Sequence, residues 1–230
     1  MIEIYKPNVL DFETEESLFM TLQTYLIDRI IDVTSEQGVV RLALDNNPLL
    51  APFYKVFNKS VGLNWSQVEI FQTNQTYSQK EDSNFLGQEL GKDFVADLRD
   101  FVDFRQDLTL EMSLKDYQEK IEVLEGKFFD SIVLQPQKDG SIAGLFPNGN
   151  YLKHQEKPAI LTEKDPENNQ EMLSLTIESL LNSEEIILVL TNENRGYLLS
   201  EILEGKENGR SFPTKFLLAH PSLKIFYLRD

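Results

Sequence analysis

Four short polar stretches of the chain carry side chains that could bind a small polar molecule, namely residues 45–48, 74–77, 135–141 and 192–195. The first stretch holds two adjacent amides, Asn46 and Asn47, which could donate hydrogen bonds to a ligand. They could equally cap the helix that Pro48 is suited to begin. Asn74 opens the second stretch and offers the same amide chemistry to a ligand.

The third stretch ends in Asp139-Gly140-Ser141. The Asp139 carboxylate could orient a water molecule or a ligand hydroxyl, and the Ser141 hydroxyl could contact a ligand. Asp-Gly is also a common turn signal, and a loop serine needs no ligand to explain it. Arg195, in the fourth stretch, could hold a phosphate or a carboxylate. It could instead lie in solvent beside Glu193 or Glu201.

Short apolar runs alternate with amphipathic helices along the whole chain, and the four polar stretches follow apolar runs. We expect strands at 2–5, 39–44, 68–73, 129–134, 172–177, 185–191 and 223–228, and helices at 13–34, 83–104, 114–124 and 194–203. This alternation predicts an α/β fold, a Rossmann-like three-layer α/β/α sandwich with a mostly parallel sheet. We expect one domain over residues 1–230. Ligands of such sheets bind at the carboxyl ends of the strands, where the polar stretches lie.

Composition limits the function classes. The chain has 22 Lys and Arg against 38 Asp and Glu, a net charge of −16, no cysteine and two histidines. The charge argues against binding nucleic acid or an anionic membrane, and it would suit a basic protein partner. The missing thiols and scarce histidines predict no metal site, and the sequence has none of the common glycine-rich cofactor motifs. Wide apolar helix faces would also allow a homo-oligomer.

The sequence shows no pattern typical of a membrane span or of a signal peptide. No apolar run approaches the roughly 18 residues of a membrane span. The first residues lack the basic flank and apolar stretch of a signal peptide. We therefore expect a cytoplasmic protein.

Three segments resemble one known family when they are taken together. They are Trp65-Ser66-Gln67-Val68-Glu69-Ile70-Phe71 with Asp82-Ser83-Asn84, Phe129-Asp130-Ser131-Ile132-Val133-Leu134 with Asp139-Gly140-Ser141-Ile142-Ala143-Gly144-Leu145-Phe146-Pro147, and Phe212-Pro213-Thr214-Lys215-Phe216-Leu217 with His220-Pro221. Their order is similar to that in the 6-phosphogluconolactonases and glucosamine-6-phosphate isomerases. The resemblance implies that family's fold and a sugar-phosphate ligand from carbohydrate metabolism, in the pentose phosphate branch for a lactonase.

The resemblance also assigns roles to positions in this sequence. Asp139, Gly140 and Ser141 fall on the family's Asp-Gly-His, so serine stands where the family has its proton-transfer histidine. Asn74 falls on an Asp-Glu-Arg loop, and Arg195 falls on a phosphate-binding lysine. The family's glycine-rich phosphate loop falls on residues 43–48, which lack both glycines. Asp45 would there place a negative charge where a phosphate dianion would sit.

Two hypotheses follow for function. In the first, a divergent family member binds or hydrolyses a sugar phosphate lactone, or isomerises a sugar phosphate. Arg195 would hold the phosphate, Asp139 would orient water or the lactone ring, and the sequence identifies no general base. In the second hypothesis, the chain is a catalytically inactive family member that senses a ligand or binds another protein.

Overall fold

The computed structural model of the protein describes residues 3–77, 84–153, 155–162 and 171–229. The strands are β1 (Asn8–Phe12), β2 (Val40–Leu44), β3 (Val68–Gln72), β4 (Asn74–Thr76), β5 (Asp100–Val102), β6 (Ser131–Leu134), β7 (Ala159–Leu161), β8 (Met172–Leu175), β9 (Ile186–Leu190) and β10 (Leu223–Leu228). The α-helices are α1 (Glu15–Gln37), α2 (Ala51–Phe57), α3 (Phe85–Leu90), α4 (Lys92–Asp97), α5 (Leu110–Glu122), α6 (Ile177–Leu181) and α7 (Arg195–Glu204).

The main sheet has seven strands in the order β1-β10-β9-β6-β2-β3-β5. Every neighbouring pair in it is parallel. Strands buried on both faces need continuous apolar runs, and β9 (Ile-Ile-Leu-Val-Leu) is buried at every residue. The mostly parallel sheet predicted from the sequence is therefore confirmed.

Helices cover both faces of this sheet. On one face, α1 to α4 pack against strand residues such as Leu42 and Val189. On the other face, α5, α6 and α7 pack against the alternate residues, such as Ala43 and Leu188. The arrangement is the three-layer α/β/α sandwich that the alternation of elements predicted.

Two predicted elements are wrong. A strand was expected at 2–5, but residues 3–5 have no regular structure, and residue 2 lies outside the described residues. The first strand is instead β1, where Val9 pairs with Ile225 of β10. The single helix expected at 83–104 is instead α3, α4 and β5. The break comes at Gly91, whose φ of 83° takes the chain out of the helical region. Asp82 and Ser83 lie outside the described residues.

The sequence did not predict a second, smaller sheet, in which β4, β8 and β7 are antiparallel. This sheet follows directly from β3, because Asn74 of β4 comes two residues after Gln72, the last residue of β3. It therefore lies beside the carboxyl ends of the main strands. Among the described residues, no helix is both long and apolar enough to cross a membrane.

Candidate functional site

A cavity of about 610 Å³ lies at the carboxyl ends of β2 and β6, below the small sheet. We call it the site cavity. Its lining is Asp45, Asn46, Asn47, Pro48, Asn74, Gln135, Gln137, Lys138, Asp139, Ser141, Ala143, Gly144, Phe146, Met172 and Tyr197. Its position follows from topology. The chain runs outwards from β2 to one edge of the sheet through β3 and β5, and outwards from β6 towards the other edge through β9 and β10. The two directions diverge between β2 and β6, where α/β sheets place their ligands.

The loop after β2 forms one wall of the site cavity. Asn47 caps the 3-10 turn Pro48–Leu50, because its Oδ1 accepts a hydrogen bond from the backbone N–H of Leu49 at 3.0 Å. Its Nδ2 donates to the backbone oxygen of Gln135 at 3.3 Å. The capping interpretation of Asn47 is therefore confirmed, and the same residue lines the cavity.

Asn46 and Asn74 connect this loop to neighbouring elements. The backbone N–H of Asn46 donates to Asn74 Oδ1 at 3.2 Å, and Asn46 Oδ1 accepts from the backbone N–H of Leu86 in α3 at 2.8 Å. The backbone N–H of Asp45 donates to Val133 in β6 at 3.1 Å. Two N–H groups that a phosphate loop would offer are thus already bonded to protein oxygens, so the loop is not built as an open phosphate cradle.

Asp45 lies at the floor of the site cavity, and 1% of the residue is exposed. Its Oδ2 accepts from the backbone N–H of Gln135 at 3.0 Å, and the Thr73 hydroxyl lies 3.4 Å from its Oδ1. The Asn47 side chain is its third hydrogen-bonding partner. Burial outweighs these hydrogen bonds and raises the pKa of Asp45 from 3.8 to about 7. At neutral pH this carboxyl is therefore only partly ionised.

Gln135 follows β6 and completes the floor of the cavity. The residue is 1% exposed, and its Oε1 accepts from the Thr191 hydroxyl at 3.3 Å. Its Nε2 has no hydrogen-bond partner among the described residues. An unpaired buried amide donor costs about 1–3 kcal/mol, and an acceptor atom of a ligand would remove that cost.

The Asp139-Gly140-Ser141 segment forms a tight turn beside the cavity. Asp139 Oδ1 accepts from the backbone N–H of Ser141 at 2.9 Å, so the aspartate stabilises its own turn. Asp139 is exposed, whereas Ser141 is 2% exposed, and both residues line the site cavity. The turn interpretation of Asp139 is confirmed, and the roles of both side chains towards a ligand stay predictions.

Gly140 and Arg195, which the sequence predicts to bind a ligand, are not among the described residues that line the site cavity. The Gly140 oxygen accepts from Thr214, through its N–H at 2.9 Å and its hydroxyl at 2.8 Å. The Arg195 guanidinium donates to the backbone oxygens of Leu228, Asn192 and Arg229 at 2.9, 3.2 and 3.2 Å. Arg195 therefore joins the start of α7 to the end of β10.

Lys138 is the cation that lines the site cavity. It is exposed and forms no ion pair with a described residue. A lysine beside Asp-Gly in a polar loop carries no motif, so its place in the cavity could not be predicted from the sequence. Phe146, Met172 and Tyr197 give the same cavity an apolar wall.

Among the described residues, this site holds neither a metal centre nor a histidine, and His154 lies outside those residues. Within the described parts of the chain, no group of three or more His, Asp or Glu side chains could hold a metal ion. His220 is buried, where its Nε2 lies 2.9 Å from the backbone oxygen of Ser183 and its Nδ1 accepts from Ser222 N. Both contacts lie at the amino ends of β9 and β10, the end of the sheet opposite the site cavity.

Residues 13–225 match the family model described as glucosamine-6-phosphate isomerases/6-phosphogluconolactonase. A bovine 6-phosphogluconolactonase is 29% identical over 119 residues, which are 50% of this chain and 45% of that protein. A human 6-phosphogluconolactonase is 25% identical over 133 residues, which are 56% of this chain and 51% of that protein. The matched part of the chain thus spans about half the length of these two relatives.

Similarity to a solved structure extends over the whole fold. The crystal structure of a 6-phosphogluconolactonase from Shewanella baltica superposes with a TM-score of 0.83 and covers 98% of this chain and 97% of that one. The sequences are 16% identical, so this likeness establishes the fold alone. The fold implied by the sequence resemblance is confirmed.

Proposed function

Because the chain belongs to the glucosamine-6-phosphate isomerase/6-phosphogluconolactonase family, we propose that it binds a sugar phosphate or its lactone in the site cavity. It would act in carbohydrate metabolism as a divergent lactonase of the cytoplasm. The observation that carries the proposal is the cavity itself, where the loops after β2 and β6 meet β4. Its volume of about 610 Å³ lies within the range of small-molecule sites.

The chemistry of the lining supports a sugar. Five of the residues that line the cavity carry a side-chain amide, namely Asn46, Asn47, Asn74, Gln135 and Gln137. Each amide has both donors and an acceptor, which matches the mixed hydrogen bonding of sugar hydroxyls. The apolar lining residues would contact the C–H face of the ring.

Lys138 supports the phosphate part of the proposal. Its ammonium group is the cationic side chain of the described cavity lining, and lysine binds phosphate as a point charge. Arg195, assigned to this role from the sequence, is held by backbone oxygens outside the cavity. We therefore transfer the phosphate-binding proposal from Arg195 to Lys138.

A second candidate is a family member that binds the ligand without turning it over. The observation that favours it is Ser141, which the resemblance aligns with the proton-transfer histidine. A serine hydroxyl does not titrate near neutral pH, so it cannot take over that proton transfer. In this case the chain would sense a ligand or present its acidic surface to a basic partner.

A thermal-shift titration tests ligand binding. The ligands are 6-phosphogluconate, glucosamine 6-phosphate and their unphosphorylated counterparts, gluconate and glucosamine. A ligand at about 100 times its Kd adds about 2.7 kcal/mol to the free energy of unfolding. We expect a phosphorylated ligand to raise the melting temperature of the wild type, and Lys138→Gln to reduce that rise to the level of the unphosphorylated counterpart.

Two further variants make this titration specific. Lys127→Gln removes another exposed lysine, which precedes β6 at the opposite end of the sheet, and should leave the ligand-induced rise unchanged. Arg195→Ala should lower the melting temperature of the free protein but preserve the rise. No rise with any ligand at millimolar concentration would contradict the proposed function. A rise with no lactone hydrolysis would favour the second candidate.

A further inference from the structure

We propose that Asp45 is the catalytic residue that moves the proton during lactone hydrolysis in the site cavity. The inference rests on the proposed function, because it needs a lactone in that cavity. It fills the general-base role that the sequence left unassigned. From the sequence, Asp45 is expected only to repel a phosphate group, whereas here it has a role in the reaction.

The position of Asp45 is the first argument. It follows β2 directly, and its Oδ2 accepts from the backbone N–H of Gln135, which follows β6. The carboxyl group therefore connects the carboxyl ends of β2 and β6, the two strands from which successive strands are added in opposite directions. Ser141 and Asn74 line the same cavity from other loops. A ligand at this point of the sheet would reach the floor of the cavity, where Asp45 lies.

The hydrogen bonding of Asp45 leaves it able to take a proton. A carboxylate has about four acceptor sites, and Asp45 accepts from or contacts Gln135 N, the Thr73 hydroxyl and the Asn47 side chain. None of the ion pairs of the described residues includes Asp45. A buried carboxyl without a cationic partner favours its protonated form, so burial places the pKa of Asp45 at about 7. General bases are most effective when their pKa lies near the working pH.

The reaction step balances with water as the co-reactant. Ionised Asp45 removes a proton from water as the water oxygen forms a bond to the lactone carbonyl carbon. When the bond between this carbon and the ring oxygen breaks, the ring oxygen leaves with the electron pair and takes the proton from Asp45. The product is an open-chain hydroxy acid, which releases one proton to solvent on ionisation, and Asp45 returns to its ionised form.

Gln135 offers a hydrogen-bond donor for the same step. Its Nε2 is buried and has no partner among the described residues, and the residue is part of the cavity lining. The lactone carbonyl oxygen becomes negative as water adds, and a fixed donor at that place stabilises the charge. The residues that carry the proton acceptor and the amide donor, Asp45 and Gln135, thus both line the site cavity.

The test is the rate of 6-phosphogluconolactone hydrolysis between pH 5.5 and 8, after subtraction of the uncatalysed rate. For the wild type we expect kcat/KM to rise with pH with a midpoint near 7. Asp45→Asn should lower kcat about 100-fold or more, should change KM by less than about threefold, and should abolish the rise. Asp130→Asn is the matched control. Asp130 is 8% exposed, accepts from the backbone N–H of Arg41 at 2.8 Å, and precedes β6 at the other end of the sheet. The Asp130→Asn variant should keep the wild-type kcat and the wild-type rise of kcat/KM with pH.

The possible failures are distinguishable. If the wild type hydrolyses the lactone and Asp45→Asn matches Asp130→Asn, Asp45 is not the proton acceptor, while the proposed lactonase stands. If the wild type shows no enzyme-dependent rate, the Asp45 proposal is overturned, and the thermal-shift titration decides whether ligand binding survives. The wild-type pH profile needs no variant, so a flat profile overturns the proposal even if Asp45→Asn fails to fold.

Discussion

At the scale of single residues, Asp45 keeps a carboxyl group where its ionised form is costly. Burial raises its pKa from 3.8 to about 7 in the folded protein, so between these values the folded state binds more protons than the unfolded state. The free energy of unfolding must therefore fall as pH rises through this window. Above pH 7 the full cost is present, and below pH 4 it is absent.

A comparison of the wild type with Asp45→Asn isolates this cost. Three pKa units correspond to about 4 kcal/mol. The free energy of unfolding of Asp45→Asn minus that of the wild type should therefore increase by about this amount when the pH is raised from 4 to 8. Urea unfolding of both proteins at several pH values measures the difference, and other titrating groups cancel in it. A difference that stays constant across this range would show that Asp45 keeps an ordinary pKa.

The sequence located part of the site at this scale. Five predicted residues line the cavity, because each lies in a segment that follows the carboxyl end of a parallel strand. They are Asn46, Asn47, Asn74, Asp139 and Ser141. Their roles in binding stay predictions. Burial and unpaired donors are properties of the folded chain, so no motif could have shown that Gln135 has a free amide donor. The direction of the Arg195 side chain was hidden for the same reason.

At the scale of elements, the turn at Gly140 depends on the absence of a side chain. Its φ of 80° disfavours other residues, and a Cβ atom there would lie 2.4 Å from the Phe212 ring. We expect Gly140→Ala to lower the free energy of unfolding through both effects. The backbone conformation costs roughly 1–2 kcal/mol, and the overlap with Phe212 costs about 1–3 kcal/mol more.

Gly126→Ala is the matched control for this prediction. Gly126 has a φ of 72°, and a Cβ atom there would have nothing within 4 Å, so only the backbone cost applies. Urea unfolding should find Gly140→Ala less stable than Gly126→Ala. Equal stabilities would mean that Phe212 moves aside at little cost.

Elements were predictable where the apolar pattern had one explanation. The buried runs at β2, β3, β9 and β10 were predicted within one or two residues. The pattern from residue 83 to residue 104 keeps a helical period across Gly91, and its apolar residues do face the core, but the backbone turns at the glycine. Periodicity reports which side chains are buried, and it cannot show that the chain changes direction between them.

At the scale of the whole molecule, the chain has the fold of its family. The parallel sheet, its two helical layers and the cavity between β2 and β6 follow from strand order and burial. Among the described residues, amides, two carboxyl groups and one lysine line the cavity at the usual ligand position of the fold. The expected single domain, the possible homo-oligomer or basic partner, and the expected absence of nucleic acid, membrane, metal and cofactor stay predictions.

The most direct test of this site is a crystal structure of the protein soaked with 6-phosphogluconate. We expect the sugar acid in the site cavity, with hydroxyl groups bonded to the side chains of Asn74 and Ser141 and with the phosphate beside Lys138. The carboxylate of this product should lie near Asp45 and Gln135. An empty cavity at saturating ligand, or a ligand bound only elsewhere on the chain, would contradict the assignment of this cavity as the functional site.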